Sequence, residues 1–264
     1  MLERKWNRIR SISLKVRSGV KVFAGCLILS LFVPGMVYQP KPVTLYLIGD
    51  STMSEKEVQA YPETGWGMPF KYYFDKGVVV ENHARNGRST RTFLDEGRWE
   101  PILSNLKKGD YVFIQFGHND EVQSKEQSTT PEEFQANLAK YVTETRSRGG
   151  KPVLLTPIAR RHFDEDGQLI DTHHQYSELV REVARKFEVS LIDMDQRSQK
   201  LLKALGPEKS VFLYLHLDVG QNPNYPDGVK DNTHFSELGA RMMAELALKG
   251  IRDLNLELAS HIPK

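Results

Sequence analysis

The sequence has almost no cysteine. Its 264 residues contain a single one, Cys26, which lies in an apolar segment near the amino terminus. A disulfide within the chain and a thiol nucleophile in the folded part are therefore excluded, and packing must supply the stability. A lipoprotein cysteine is also disfavoured, because the most apolar part of this segment follows Cys26 instead of preceding it.

The sequence also lacks a large excess of charge of either sign. It has 36 Lys and Arg against 34 Asp and Glu, but residues 1–21 hold seven of the basic residues and one acid, Glu3. The remaining residues therefore carry a net charge of −4, and the sequence pI of about 8.5 is due to the amino terminus. Nothing in the remainder supports a nucleic-acid partner.

Long apolar runs are absent except for residues 22–38, which follow the basic residues of the amino terminus. This layout is typical of an export signal. No clear small-x-small cleavage site closes the run, and its 17 residues are near the lower limit for a membrane span. We predict that residues 1–40 are a signal peptide or an N-terminal membrane anchor, with the protein periplasmic or extracellular. A buried helix with a basic lead-in is the alternative.

Beyond this segment, short β-branched and aromatic runs alternate with helical patterns, without repeats or low-complexity tracts. The runs predict strands at residues 43–48, 78–81, 111–116, 152–156 and 189–192. Helices are predicted at residues 66–75, 99–106, 131–148, 172–187, 195–205 and 236–248. The alternation predicts one α/β domain over residues 41–264, with a parallel sheet covered by helices on both faces. Residues 206–231 are expected to stay irregular and to wall a cleft.

Four polar motifs fall at the ends of these elements. Gly49-Asp50-Ser51-Thr52 directly follows the first strand, Asn86-Gly87 follows the second, and Gly117-His118-Asn119-Asp120 follows the third. The fourth, Asp231-Asn232-Thr233-His234, stands just before the last helix. Loops that follow parallel strands share one edge of the sheet, where α/β folds place their ligands. We therefore expect the motifs to meet.

Together the motifs contain the groups that acyl transfer needs. Ser51 can supply the nucleophile, His234 the base and Asp231 the carboxylate that orients the base. The backbone N–H groups of Ser51 and Gly87 and the side-chain amide of Asn119 are candidate donors to the oxyanion. A turn-and-cap role for each motif is the ordinary alternative when it is taken alone.

In order and separation, these motifs resemble the four blocks of the SGNH (GDSL-like) hydrolase superfamily. Thr64-Gly65-Trp66-Gly67 and Tyr225-Pro226-Asp227-Gly228 extend the resemblance to bacterial rhamnogalacturonan acetylesterases, over roughly residues 43–250. The resemblance implies a three-layer flavodoxin-like fold with strand order 2-1-3-4-5, no metal and no cofactor. It also implies deacetylation of pectic rhamnogalacturonan, with Ser51, His234 and Asp231 catalytic and with Gly87 and Asn119 as oxyanion donors.

Three further residues are candidates for substrate contact. Trp66 adjoins the expected cleft edge and could stack on a sugar ring. Arg88 lies in a loop rich in arginine, where it could bind a galacturonate carboxylate or instead pair with loop acids. His118 could touch the substrate or serve as local scaffold. Asp50 is expected to hold the nucleophile turn by accepting loop N–H bonds.

Other functions stay open at this point. The same groups serve an esterase, lipase or thioesterase with another acyl substrate, because fold does not fix substrate. A metal-dependent phosphoesterase has comparable Gly-Asp and Asn-His motifs, but here His118 precedes Asn119 and no Asp-x-His pair precedes Gly49. His173-His174 could also bind metal, although a solvated helix face suits this pair better. A non-catalytic carbohydrate-binding protein would have no use for a base beside a hydroxyl.

Overall fold

All five predicted strands form one parallel sheet in the computed structural model, which describes residues 41–263. The strands run over β1 Val43–Gly49, β2 Val78–Asn82, β3 Tyr111–Gln115, β4 Lys151–Leu155 and β5 Ser190–Ile192. Their order is β2-β1-β3-β4-β5, which confirms the predicted order. The chain places β2 on one side of β1 and the later strands on the other side. The position between β1 and β3 is therefore a topological switch point, which is where open α/β sheets bind ligands.

Strand β1 lies between β2 and β3, so the loops that follow these three strands begin side by side. Leu47 of β1 is in register with Asn82 of β2, and Gly49 is in register with Gln115 of β3. Every residue of β3 is buried, as expected for a strand covered on both faces. The first three motifs thus leave the sheet from neighbouring positions.

The α-helices divide between the two faces of the sheet. They are α1 Gly67–Phe70, α2 Thr90–Asp95, α3 Trp99–Asn105, α4 Pro131–Ser147, α5 His174–Lys186, α6 Met194–Ser210 and α7 Glu237–Asp253. Helices α1, α6 and α7 pack against one side of the sheet, and α2 to α5 pack against the other. Full burial of each large apolar side chain stabilises the fold by about 1.5–3 kcal/mol. The three-layer prediction is confirmed.

The helix predictions are confirmed in position but not in every boundary. Thr130 caps α4 as expected, and its Oγ1 accepts from Glu133 N at 3.2 Å. The helix predicted at 66–75 is one α-turn followed by the 3₁₀ segment Lys71–Tyr73. The six-residue helix α2 was not predicted, because it has no apolar repeat. Ser89 begins it with a capping box, in which Thr92 is the partner.

The prediction of an irregular segment at residues 206–231 is wrong at both ends. Helix α6 continues past its kink at Gly206 to Ser210. Strands β6 Tyr214–Leu217 and β7 Val229–Phe235 then pair antiparallel as a separate two-stranded sheet. Strand β7 was not predicted, because its sequence is polar and lacks the apolar alternation that marks most strands. Asp231 and His234 therefore lie on a strand.

The predicted signal peptide or membrane anchor, residues 1–40, lies outside the described residues. That prediction stays a prediction. Within residues 41–263, none of the helices has the length and apolar character that a membrane crossing requires.

Candidate active site

A tight turn at the end of β1 carries Ser51. Ser54 N donates to Asp50 O at 3.1 Å, and Thr52 donates through both its N–H and its hydroxyl to Asp50 Oδ1, at 2.9 and 2.8 Å. The expectation that Asp50 holds the turn is thus confirmed. A Cβ on Gly49 would lie 2.5 Å from Gln115 O, so only glycine lets the chain turn this close to β3.

Strand β7 brings His234 to Ser51. His234 Nε2 lies 2.8 Å from Ser51 Oγ, and His234 Nδ1 lies 2.7 Å from Asp231 Oδ2. The other carboxylate oxygen, Asp231 Oδ1, accepts from the backbone N–H groups of Thr233 at 2.6 Å and His234 at 2.9 Å. The carboxylate is therefore fixed to the same short segment as the imidazole that it contacts.

The ionisation of Asp231 determines how the imidazole is oriented. Burial opposes the charged form, but hydrogen bonds from the His234 ring and from two backbone N–H groups lower the pKa of Asp231 to about 2. An ionised carboxylate can only accept, so His234 Nδ1 carries the hydrogen in this pair. The unprotonated Nε2 of neutral His234 then faces Ser51 Oγ, as a general base must.

The second motif forms a turn beside the segment that carries Ser51. Arg88 N donates to Arg85 O at 3.3 Å, and Gly87 occupies the third position of this turn with φ of 74°. A positive φ at that position of a turn favours glycine. A Cβ on Gly87 would meet no atom within 4 Å, so the backbone angle and not the available space explains the glycine.

Asn119 lies after β3 and ties the third motif to the second. Its Nδ2 donates to Arg88 O at 3.0 Å, and its side chain is largely buried. This bond fixes the amide orientation and occupies one of the two Nδ2 hydrogens, leaving the other for an oxyanion. The two loops are joined a second time by Asp120 Oδ1, which accepts from Thr90 N at 3.0 Å and Thr90 Oγ1 at 2.6 Å.

The structure thus brings together Ser51, His234 and Asp231, and it places Gly87 and Asn119 on the two loops beside them. The side chains of His234 and Asp231 are 29% and 27% exposed, so the site opens to solvent and is not enclosed. This arrangement can deprotonate a serine next to potential N–H donors. The catalytic and oxyanion roles themselves stay predictions.

The prediction that Trp66 stacks on a sugar ring is wrong. Trp66 is fully buried, and its Nε1 donates to Gln115 Oε1 at 2.7 Å. Its ring packs edge-on against Phe70, with centroids 5.1 Å apart. A side chain without exposed surface cannot reach a ligand, so Trp66 belongs to the core beneath the nucleophile turn.

Arg88 makes the ion pair that was the alternative to substrate binding. Its Nε and Nη2 lie 3.0 and 2.9 Å from the carboxylate of Glu96, and its Nη1 donates to Asn86 O at 2.8 Å. Arg91 is held by Glu133 at 3.4 Å. Contact between Arg88 and a substrate stays a prediction, and it would have to compete with Glu96.

His118 is buried and belongs to a polar network behind the site. Its Nδ1 lies 3.3 Å from Asp50 Oδ2, and its ring contacts that of His173 with centroids 4.3 Å apart. The expectation that His173 is solvated is wrong. The residue is buried, and its Nδ1 lies 2.8 Å from Glu121 Oε2. Burial and the neighbouring His118 lower the pKa of His173 to about 4. The scaffold interpretation of His118 is favoured.

No group of three or more His, Cys, Asp or Glu side chains within residues 41–263 is arranged to hold a metal ion. The residues near Ser51 that sequence reasoning missed are Ser54, Lys56 and Glu63. They lie in a polar stretch that is typical of a solvated loop, and nothing in the local sequence indicates that Lys56 is buried.

Known proteins resemble this chain in sequence and in structure. A family model described as GDSL-like lipase/acylhydrolase matches residues 47–242. The rhamnogalacturonan acetylesterase RhgT of Bacillus subtilis is 41% identical, covering 84% of this chain and 95% of its own length. The probable rhamnogalacturonan acetylesterase YesY of the same organism is 35% identical, covering 83% and 97%. The crystal structure of B. subtilis YxiM has a TM-score of 0.71 at 27% identity, covering 83% of this chain and 59% of that one.

Proposed function

The chain belongs to the GDSL-like lipase/acylhydrolase family and is an esterase, and from this we propose that it removes acetyl groups from rhamnogalacturonan by a Ser-His-Asp mechanism. One observation carries the mechanism: an imidazole 2.8 Å from a serine hydroxyl and 2.7 Å from an ionised carboxylate. A base so oriented activates a serine for attack on an ester.

In the first half of the reaction, Ser51 Oγ forms a bond to the acetyl carbon while its proton moves to His234 Nε2. The carbonyl electron pair moves onto oxygen, and the resulting oxyanion accepts from the N–H groups of Ser51 and Gly87 and from Asn119 Nδ2. When the carbonyl re-forms, the bond to the sugar oxygen breaks and that oxygen takes the proton from His234. Acetyl-Ser51 remains.

In the second half, water attacks the acetyl carbon and gives its proton to His234. The second oxyanion uses the same three donors. As it collapses, the bond to Ser51 Oγ breaks, Oγ takes the proton back from His234, and acetic acid leaves and ionises to acetate in solution. Asp231 accepts from the imidazole throughout and stabilises its protonated form without taking the proton.

Two observations support a polysaccharide substrate. The rhamnogalacturonan acetylesterase RhgT is 41% identical to this chain over most of both chains. The site is also open, since His234 is nearly one-third exposed, and the loop between β6 and β7 is polar and glycine- and proline-containing. An open polar site suits a carbohydrate chain better than the enclosed apolar pocket that a long acyl chain would need. We further propose that residues 1–40 direct export to where such polymers occur.

The experiment is a comparison of acetate release from acetylated rhamnogalacturonan, acetylated xylan and an aryl acetate, each with and without a chelator. We expect the highest kcat/KM on rhamnogalacturonan, with no effect of the chelator. A higher kcat/KM on acetylated xylan than on acetylated rhamnogalacturonan would overturn the proposed substrate. Loss of activity with chelator and its return with added metal would overturn the mechanism.

A further inference from the structure

The side chain of Lys56, five residues after Ser51, is buried, although the residue as a whole is partly exposed. Only 2% of its side chain is exposed, and its Nζ lies 2.6 Å from Glu63 Oε1 and 2.8 Å from Asn86 Oδ1. Burying an ammonium group is costly, and pairing often does no more than offset that cost. Burial lowers the pKa of Lys56, while the charge of Glu63 opposes the shift. Stability alone therefore does not explain why a lysine side chain is buried at this position.

The first contact of Lys56 leads to the turn that carries Gly87. Asn86 Oδ1 accepts from Lys56 Nζ and also from Ser54 Oγ, at 2.5 Å. Both donors come from the segment that follows the nucleophile, and Asn86 directly precedes Gly87. The side chain of Asn86 is thus held from two directions against the nucleophile segment. Because Asn86 and Gly87 share a peptide bond, the same contacts restrict the backbone N–H of Gly87.

The second contact of Lys56 leads towards the strand that carries His234. Glu63 is 16% exposed and its neighbour Thr64 donates through its N–H to Phe235 O at 3.0 Å. Phe235 directly follows His234 in β7. Lys56 therefore joins the nucleophile segment, the Gly87 turn and the segment hydrogen-bonded to β7. An ammonium group has three N–H donors, so it can satisfy both acceptors at once.

We propose that Lys56 is a positioning residue, which holds Asn86 so that the Gly87 N–H is aimed at the oxyanion. The inference rests on the proposed function, because the oxyanion role of Gly87 is part of it. Lys56 does not touch the reacting atoms and acts through Asn86. Its contribution is made in the transition state, where the oxyanion develops, and hardly at all in the bound substrate.

Lys56→Met tests this assignment, since methionine fills much of the same volume without a donor. We expect kcat for an aryl acetate to fall about 10- to 100-fold, the effect of displacing a catalytic group by a fraction of an ångström to 1 Å. KM should change little, because only transition-state binding is lost. Lys151→Met is the matched control. Lys151 also pairs with a glutamate, Glu257, but it lies at the amino-terminal end of β4, away from the loops that carry the site. The variant should therefore leave kcat unchanged.

A double-mutant cycle with Asn86→Ala shows whether Lys56 acts through Asn86. If it does, Lys56→Met added to Asn86→Ala lowers kcat little further, since the contact is already gone. Effects of the two substitutions that multiply in full would contradict the assignment. If Lys56 only stabilised the fold, Lys56→Met would lower the midpoint of thermal unfolding, and its effect on kcat would not depend on the residue at position 86.

A double variant keeps the proposal testable if Lys56→Met does not fold, and Ser51→Ala separates its failure from that of the proposed function. If Lys56→Met leaves Glu63 unpaired and does not fold, Lys56→Met combined with Glu63→Gln removes both charges, and the same fall in kcat is expected. Wild-type kcat in a folded Lys56 variant would overturn the proposal. That result is distinct from failure of the proposed function, which would appear as activity retained in Ser51→Ala.

Discussion

His234 Nε2 lies 2.8 Å from Ser51 Oγ, although the two residues are 183 positions apart in the chain. The contact depends on the antiparallel pairing of β7 with β6, and Thr64 N, which donates to Phe235 O at 3.0 Å, anchors the same strand. Ser51 itself is held by the turn that Asp50 stabilises. Two segments far apart in the sequence thus meet at this hydrogen bond.

Asp231→Asn should lower kcat by roughly 10⁴-fold while the protein stays folded. The new amide would donate to His234 Nδ1 and leave the hydrogen on Nε2, which is the wrong tautomer for a base, and this substitution has an effect of that order in a serine protease triad. The rate of aryl acetate hydrolysis measures it. Asp227→Asn, an exposed position on the loop before β7, is the control and should be neutral. Comparable rates for the two variants would contradict the role of Asp231.

Asn119→Ala should lower kcat about 10²- to 10³-fold with little change in KM, the usual effect of losing one oxyanion donor. The measurement is steady-state kinetics on an acetyl ester. Asn105→Ala removes an exposed asparagine whose Nδ2 donates to a backbone oxygen, like that of Asn119, and should have no effect on kcat. A rise in KM alone would show that Asn119 binds substrate and not the oxyanion.

Trp66→Phe should lower stability and leave KM unchanged. The variant removes the donor to Gln115 Oε1, and a buried acceptor without a partner costs about 1–3 kcal/mol. Chemical denaturation measures the change in the free energy of unfolding. If Trp66→Phe instead raised KM for acetylated oligosaccharides at unchanged stability, then the indole would contact the substrate after all.

Asp120→Asn should flatten the dependence of stability on pH. Burial raises the pKa of Asp120 to about 7, against hydrogen bonds from Thr90 and Thr129, whereas an unfolded aspartate titrates near 3.9. Between these values the folded state binds the extra proton, so this contribution is complete below about pH 4 and is lost as pH rises through about 7. The free energy of unfolding at pH 5 and pH 8 tests it in both proteins. An equal pH difference in wild type and variant would contradict the shift.

The sheet and most helices could be predicted because their signals are local. The apolar runs of β1, β3 and β4 mark strands covered on both faces, and the Thr130-Pro131 cap marks the start of α4. The four motifs could be placed at one edge because each directly follows a strand or precedes a helix. From that placement alone, Ser51, His234 and Asp231 were expected to meet.

The parts that could not be predicted depend on partners far away in the sequence. Strand β7 is polar and is defined by its pairing with β6, and the burial of Trp66 depends on Gln115, 49 residues away. Lys56 lies in a stretch that looks solvated, and Asn86, 30 residues on, is one of the groups that make its burial possible. Local pattern has no access to such contacts.

The most direct measurement is the rate of acetate release by Ser51→Ala, beside a thermal unfolding curve that shows the variant is folded. In the proposed mechanism Ser51 Oγ forms the bond to the acetyl carbon, so we predict that turnover falls to the level of the background while the unfolding midpoint stays close to that of the wild type. Full activity in folded Ser51→Ala would contradict the serine mechanism.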